Sequence, residues 1–520
     1  MSGSPRPDSG YSLVVIRPAR PQARPLAGLG ELLGIRSDAP GSISGVTLDS
    51  RQVQPGDLYA ALPGSHAHGA DFSGDAVARG AVAILTDPAG RDRAARQGVP
   101  VFVVASPRTR LGDVACWVYG DPSARMRLIG VTGTSGKTTT SYLAEAGLRA
   151  AGHETGLIGG VELRVGGERF TSKLTTPEAT DLQALLAIMV ERGVTAAAME
   201  VSSHSLALGR VAGTRYDVAV FTNLSQDHLD FHAGMEDYFR AKAELFTPRY
   251  AAVGVVNVAD KYGRRLVSEA SIPVTTFCAE PGAAGYWEAE WRAQDVRSGA
   301  DGSAFRVIGP GGVEADASVT LPGAFNVANA LGAIVALVEA GVRLADAVAG
   351  VASCPGVPGR LQRVPGGLLD AFVDYSHKPG AVEAVLRTLR EVTPGDLIIV
   401  LGCGGDRDRG KRPLMGAAAA SLADVAILTS DNPRSEDPLA ILDEMLHGVV
   451  EVPGEERGRV IIEPDRAAAI SLAVGMAGKG DVVLVAGKGH ETGQYVGEAV
   501  LPFDDLTVTA EAIARRGEPA

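Results

Sequence analysis

The stretch RLIGVTGTSGKTT, residues 127–139, decides how the rest of the chain is read. Arg127–Thr132 is apolar and β-branched, as a buried strand requires. Gly133-Thr134-Ser135-Gly136-Lys137-Thr138-Thr139 follows it directly. The glycines let the backbone fold tightly enough for its N–H groups to face phosphate oxygens. Lys137 adds a positive charge for the β- and γ-phosphates, the Thr138 hydroxyl is placed to ligate Mg²⁺, and the helix that the loop opens adds its own dipole. A full Walker pattern carries glycine six residues before the lysine. Val131 stands there, so this is the shorter G-T-x-G-K-T form. The loop alone implies ATP or GTP and nothing narrower.

Outward from this stretch, apolar β-rich runs alternate with Gly-rich or polar loops and Ala/Leu-rich helical stretches. That alternation predicts an α/β protein with parallel sheets, whose ligands bind beyond the carboxyl ends of the strands. Three α/β domains are expected after a flexible tail over 1–27: a smaller one over 28–107, a central phosphate-loop domain over 108–357, and a Rossmann-like one over 358–520. In the middle block Ala196–Met199 leads into Glu200-Val201-Ser202-Ser203-His204, Asp217–Phe221 into Thr222-Asn223 and on to Asp227-His228, and Val253–Val256 into Asn257 and Asp260. A carboxylate and an imidazole at the same sheet edge as a phosphate loop are natural Mg²⁺ ligands. In the last block four strand ends carry Tyr375-Ser376-His377, Gly402–Asp408, Asp431-Asn432-Pro433-Arg434 and Gly487–Glu491. Four Gly-, Asp- and Arg-rich loops at one edge suit a small zwitterion: Arg407 and Arg434 offer planar forks for carboxylates, and the acids accept from ammonium groups.

Gly133–Thr139, Glu200–His204 and Asn223–His228 together resemble the central domain of the Mur peptide ligases, a family that includes the folylpolyglutamate synthetases. The resemblance implies three domains, for a UDP-sugar, for ATP and for an incoming amino acid. It implies that Thr138, Glu200, His228 and a carbamylated Lys242 hold Mg²⁺, that Asn326, Asp374 and His377 lie at the nucleotide, and that Arg360 reaches its phosphates. G-C-G-G-D-R-D, D-N-P-R and G-K-G-H-E are similar to the diaminopimelate-adding members. That similarity assigns Arg407, Asp431, Asn432, Pro433, Arg434, Gly487 and Glu491 to the amino acid, with Arg434 on its far carboxylate. Leu48, Ser50, Ser65, His66 and Ala67 fall where the family holds uridine diphosphate, and Thr175, Thr176, Ser202 and Arg210 where it holds the sugar-peptide. Leu208, Ser65 and Lys378 depart from the family's commoner residues. The implied activity is an ATP-dependent amide-bond ligase of peptidoglycan synthesis. It activates a D-Glu side-chain carboxylate as an acyl phosphate.

The chain has 520 residues and a formal net charge of −12, which argues against a general nucleic-acid binder. Its four cysteines form no C-x-x-C pair, as reduced thiols in a cytoplasmic protein would not. No apolar run is long enough for a membrane span. A monomer working on small-molecule substrates is expected. Two other readings stay open: a lysine-adding relative, against which Arg434 speaks, and a phosphate-loop nucleotide switch, which needs no amino-acid loops.

Overall fold

The computed structural model describes residues 17–170, 174–366 and 369–517. It divides into two compact units. Unit 1 runs to Arg292 and adds Ile308–Ala315 and Ala328–Val351; unit 2 comprises Ala293–Val307, Asp316–Val327 and the chain from Ala352.

Besides a short antiparallel pair, Arg24–Pro25 with Ser42–Ile43, unit 1 carries two larger sheets. The smaller has four parallel strands in chain order: Gly45–Thr47, Asp57–Ala61, Ala83–Thr86 and Val101–Val103. The expected boundary at 107/108 falls inside its core. Leu111, Val114 and Val118, on the helix Pro107–Tyr119, pack with Leu58 and Leu85 of the sheet and with Ala184 and Ala187. Part of the expected tail is also fixed. Arg17 pairs with buried Asp57 at 2.9 Å, Leu26 is 1% exposed, and Leu26–Leu33 is a helix. Packing of these apolar and paired residues overrides the Pro/Arg-rich composition that suggested mobility; the earlier part of that tail, 1–16, lies outside the described residues.

The larger sheet of unit 1 places Arg127–Thr132 between Ala196–Glu200 and Tyr216–Phe221, all parallel. Beyond Ala196–Glu200 lies Thr155–Ile158, and beyond Tyr216–Phe221 lie Ala251–Asn257 and Val274–Cys278. The chain leaves Arg127–Thr132 toward one side and Ala196–Glu200 toward the other. The phosphate loop therefore opens at a topological switch point, where a crevice forms at the strand ends. Gly130 permits this packing, since a Cβ there would sit 2.7 Å from the Tyr216 ring.

Unit 2 is built on Asp370–Asp374, Val482–Ala486, Leu397–Leu401, Val425–Leu428 and Arg459–Ile462, five parallel strands in that spatial order, with Gln362–Arg363 antiparallel at one edge. Helices cover both faces, so Leu397-Ile398-Ile399-Val400-Leu401 is buried throughout: Leu397, Ile399 and Leu401 in one core, Ile398 and Val400 in the other. All four strand-end loops marked in the sequence emerge at one edge of this sheet.

Candidate active site

Gly133 and Gly136 have φ of 149° and 86°, conformations that L side chains rarely adopt. A Cβ on Gly133 would lie 1.9 Å from Thr222 Oγ1, and one on Gly136 2.3 Å from Asn329 Oδ1. The loop is joined to the next strand end at several points. Thr134 N donates to Asn223 O (2.9 Å), Ser135 N to Asn223 Oδ1 (3.0 Å), and Thr222 Oγ1 to Ser135 O (2.6 Å). Thr134 Oγ1 shares a hydrogen bond with Tyr238 OH (3.1 Å). Lys137 Nζ donates to the carbonyls of Gly133 (3.0 Å) and Thr134 (2.9 Å), which holds its charge over the loop.

Glu200 is 3% exposed at the end of its strand. Its Oε1 accepts from Thr138 Oγ1 (3.1 Å) and Gly160 N (3.0 Å). A hydroxyl and a carboxylate thus converge at the start of the helix Lys137–Ala150. Among the described residues no group of three or more His, Cys, Asp or Glu side chains could hold a metal ion. The two oxygen donors nonetheless fit Mg²⁺, which binds through one or two carboxylates, keeps several waters and is completed by substrate phosphates. His228 sits at φ 53°, its Nε2 3.3 Å from Asp227 and its ring 4.8 Å from that of His204.

Lys242 lies on the helix Met235–Ala243, where its position in the sequence reads as a solvated residue. The structure buries it to 1% exposure. Its Nζ donates to Gly133 O (2.8 Å) and stands 4.7 Å from the centre of the Tyr238 ring. Burial, reinforced by nearby Lys137, pushes its amine well below the ordinary lysine range.

The sugar-peptide candidates surround the Glu200 strand end. Thr176 Oγ1 donates to Glu200 O (2.9 Å) and accepts from Ser202 N (3.2 Å), while Arg210 pairs with Glu178 at 2.8 Å. Thr175 stands against Gly160. Leu48 and Ser50, with exposed Ser65, His66 and Ala67, follow strands of the smaller sheet.

In unit 2, Asp431 and Asn432 are buried beside Lys488, which is fully buried. Lys488 Nζ donates to Asn432 Oδ1 (2.9 Å), Glu491 Oε2 (3.3 Å) and Gly493 O (2.6 Å), and lies 4.0 Å from Asp431. Asn432 Nδ2 donates to Glu491 Oε2 at 2.8 Å. Three residues that the resemblance assigns to the amino acid are therefore locked together by the lysine of the G-K-G-H-E motif, Lys488, which lies outside that assignment. Gly487, at φ 112°, leaves room for Asp431, whose Oδ2 would stand 2.7 Å from an added Cβ. Pro433 precedes Arg434, which is half-buried at φ 52° and whose Nη1 donates to Gly405 O (2.6 Å). Arg407 is exposed and donates to Asp406 O at 3.3 Å.

The nucleotide candidates Asp374, His377, Arg360 and Asn326 also belong to unit 2. Asp374 accepts from the backbone N–H groups of Leu361 (2.7 Å) and Ser376 (2.8 Å). Arg360 stacks on the Tyr375 ring at 4.6 Å, and Asn326 Nδ2 donates to Pro322 O at 2.9 Å. Burial pushes His377 down to about 4.

Fold and strand-end chemistry define the class: a phosphate-loop α/β protein with a second, polar strand-end site on a separate parallel sheet. Three family profiles cover most of the chain: "Mur ligase family, catalytic domain" over 42–119, "Mur ligase middle domain" over 131–337 and "Mur ligase, glutamate ligase domain" over 359–489. A Streptomyces coelicolor protein named UDP-N-acetylmuramoyl-L-alanyl-D-glutamate--2,6-diaminopimelate ligase is 59% identical over 501 residues, 96% of this chain and 98% of its own. A Leifsonia xyli UDP-N-acetylmuramyl-tripeptide synthetase is 46% identical over 505 residues, 95% and 97% of the two chains. A solved structure titled as the diaminopimelate ligase aligns at TM-score 0.70 and 32% identity, covering 96% of this chain and all of that one. The chain belongs to the Mur ligase family, and it is an enzyme.

Proposed function

We propose that this chain is the ATP-dependent ligase that joins diaminopimelate to the D-Glu side-chain carboxylate of UDP-N-acetylmuramoyl-L-Ala-D-Glu, a step of peptidoglycan precursor synthesis in the cytoplasm. The observation that carries this reading is the 59% identity, over 96% of the chain, to the Streptomyces coelicolor ligase of that name. The half-buried Arg434 beside a locked Asp431–Asn432–Glu491 cluster supports it, because lysine has no second carboxylate to pair with that guanidinium. No helix among the described residues is long and apolar enough to cross a membrane.

A carboxylate is a poor electrophile, and its oxygen is a poor leaving group. Transfer of the ATP γ-phosphoryl group to the D-Glu carboxylate oxygen releases ADP and gives an acyl phosphate. The amine of diaminopimelate then attacks the carbonyl carbon, the tetrahedral intermediate expels inorganic phosphate, and the ammonium proton is lost as the amide forms. The protein contributes position and charge. Lys137, held over its loop, meets the β- and γ-phosphates. Thr138, Glu200, His228 and Lys242 as its carbamate are the residues to hold Mg²⁺, which when bound neutralises phosphate charge. Carbamylation needs a neutral amine to attack CO₂, and a lysine whose pKa is lowered by burial supplies one. An unmodified ammonium could not ligate a cation. Asn326, Arg360, Asp374 and His377 are assigned to the nucleotide by resemblance alone, as are Leu48, Ser50, Ser65, His66 and Ala67 to the uridine diphosphate.

The test is phosphate release by purified protein given ATP, Mg²⁺, UDP-N-acetylmuramoyl-L-Ala-D-Glu and either diaminopimelate isomer or L-lysine. Release that requires both the UDP-dipeptide and diaminopimelate is expected. Preference for L-lysine would replace this reading with the lysine-adding one, and release without any peptide substrate would point to a nucleotide switch. Within this reading, Arg434→Ala raises the diaminopimelate KM by about ten- to a hundredfold and leaves the ATP KM in place, since a charged hydrogen bond contributes about 1.5–3 kcal/mol. Equal changes in both would remove the selectivity role.

A further inference from the structure

The antiparallel hairpin Gly493–Val496 with Ala499–Pro502 corresponds to no motif marked in the sequence. It has almost no core of its own: Tyr495, Val496, Val500 and Leu501 are 40–55% exposed. Its order comes instead from polar links, and these lead to the amino-acid loops. Arg434 N donates to Tyr495 O (2.9 Å), and Gly497 N donates to Arg434 O (2.7 Å). Tyr495 N donates to Asn432 Oδ1 (3.0 Å) and Gln494 Nε2 to Asp431 O (2.9 Å), while Gly493 O accepts from Lys488 (2.6 Å).

Arg434 needs such support. Its φ of 52° puts a bulky L residue in the left-handed region, a conformation that persists only where surrounding contacts over-determine it. The two backbone bonds from the hairpin grip Arg434 on both its N–H and its C=O. The guanidinium carbon then stands 5.9 Å from the centre of the Tyr495 ring, at the outer limit of a cation–π contact. One guanidinium N–H reaches Gly405 O. The group has five, so donors remain for a carboxylate.

We propose that Tyr495 is a positioning residue for amino-acid specificity. Its backbone fixes the Arg434 main chain, and its ring sets the direction in which the Arg434 fork points toward the far carboxylate of the incoming amino acid. The inference rests on the diaminopimelate reading above. A surface hairpin with no role would show the same exposure but would have no reason to be bonded to three loop residues of the site and to the lysine that joins them.

The experiment compares full-length wild type, Tyr495→Ala, Tyr495→Phe and Val500→Ala. It measures KM for diaminopimelate and for ATP, kcat, and turnover with L-lysine, with calorimetric titration of diaminopimelate as a second readout. Tyr495→Ala is expected to raise the diaminopimelate KM and Kd about two- to fivefold with kcat and the ATP KM unchanged. Tyr495→Phe, which keeps the ring, restores the wild-type diaminopimelate KM, and Val500→Ala on the same hairpin changes nothing. An unchanged diaminopimelate KM in Tyr495→Ala overturns the inference, as does a parallel rise in the ATP KM or an equal effect of Val500→Ala. The wild-type arm separates the two levels. Wild type that turns over diaminopimelate alongside an indifferent Tyr495→Ala sinks this inference alone, whereas wild type that does not accept diaminopimelate sinks the functional reading and this inference with it.

Discussion

Two lysines reach the same carbonyl and are made different by their surroundings. Lys137 and Lys242 both donate to Gly133 O, at 3.0 and 2.8 Å. Lys137 is half-buried and is held by the carbonyls of Gly133 and Thr134 on its own loop. Lys242 is enclosed, and burial, with the nearby Lys137 charge as a second cause, pushes its amine well below the ordinary lysine range. Lys137→Ala should therefore abolish phosphate release while circular dichroism and the melting profile stay those of wild type. Near-normal release by that variant would remove Lys137 from the phosphoryl step. For Lys242 the measurement is a carbamate carbonyl signal in ¹³C NMR of protein equilibrated with ¹³C-bicarbonate. The signal should be present in wild type, absent in Lys242→Arg, and lost on acidification. Its absence from wild type at neutral pH would leave Lys242 as a structural amine.

At the scale of elements, the strand ends were legible because a parallel strand buried on both faces is nearly all apolar and stops at the first polar cluster. Arg127–Thr132 agrees at both ends, and Ala196–Met199, Asp217–Phe221 and Val253–Val256 fall within two residues of the strands Ala196–Glu200, Tyr216–Phe221 and Ala251–Asn257. The loops bearing Glu200, Asp431 and Glu491 followed from that, since topology puts every carboxyl end on one edge. What stayed hidden depends on long-range partners. Lys242 carries no local sign of burial. The hairpin after Glu491 is too exposed and too short to leave a periodic pattern. Arg466 and Asp505, 39 residues apart, form an ion pair with no exposure, Nε and Nη2 donating to the two carboxylate oxygens at 2.7 Å each. That arginine also donates to Ser430 O (3.3 Å) and Ala486 O (3.0 Å). It thereby ties the helix Asp505–Gly517 to the strand ends that lead into Asp431–Arg434 and Gly487–Glu491. Asp505→Ala leaves Arg466 as an uncompensated buried charge and should lower unfolding free energy by about 3–5 kcal/mol, read from urea midpoints. Replacing both residues by apolar ones of similar volume should restore much of the loss. A double variant no more stable than Asp505→Ala would show that the cost lies in packing, not in the lone charge.

The whole molecule stores a pH dependence in its histidines. Burial pushes His377 and His490 of unit 2 down to about 4, and His153 and His204 of unit 1 are lowered from 6.5 by burial as well. Each of these residues prefers its neutral form when folded and titrates near 6.5 when unfolded. Above pH 6.5 neither state binds the proton and stability is at its plateau. Between 6.5 and 4 the unfolded chain binds protons that the folded chain refuses, so stability falls with falling pH, by about 1.4 kcal/mol per pH unit for each fully affected histidine. His377 and His490 together give a slope of about 2–3 kcal/mol per unit over that window. This loss sets in well above the range where carboxylates protonate, so it is separable from ordinary acid unfolding. Urea midpoints should be level from pH 8 to 7 and drop steadily from 6.5 to 5, and His377→Gln with His490→Gln should flatten the drop while lowering the plateau by no more than their lost packing. A midpoint that stays constant from pH 7 to 5 would mean that these rings take up protons as readily in the folded protein as in the unfolded chain. The Nδ1 atom of His490, buried and without a hydrogen-bond partner among the described residues, argues against that outcome, because a second proton there would have no acceptor to bond.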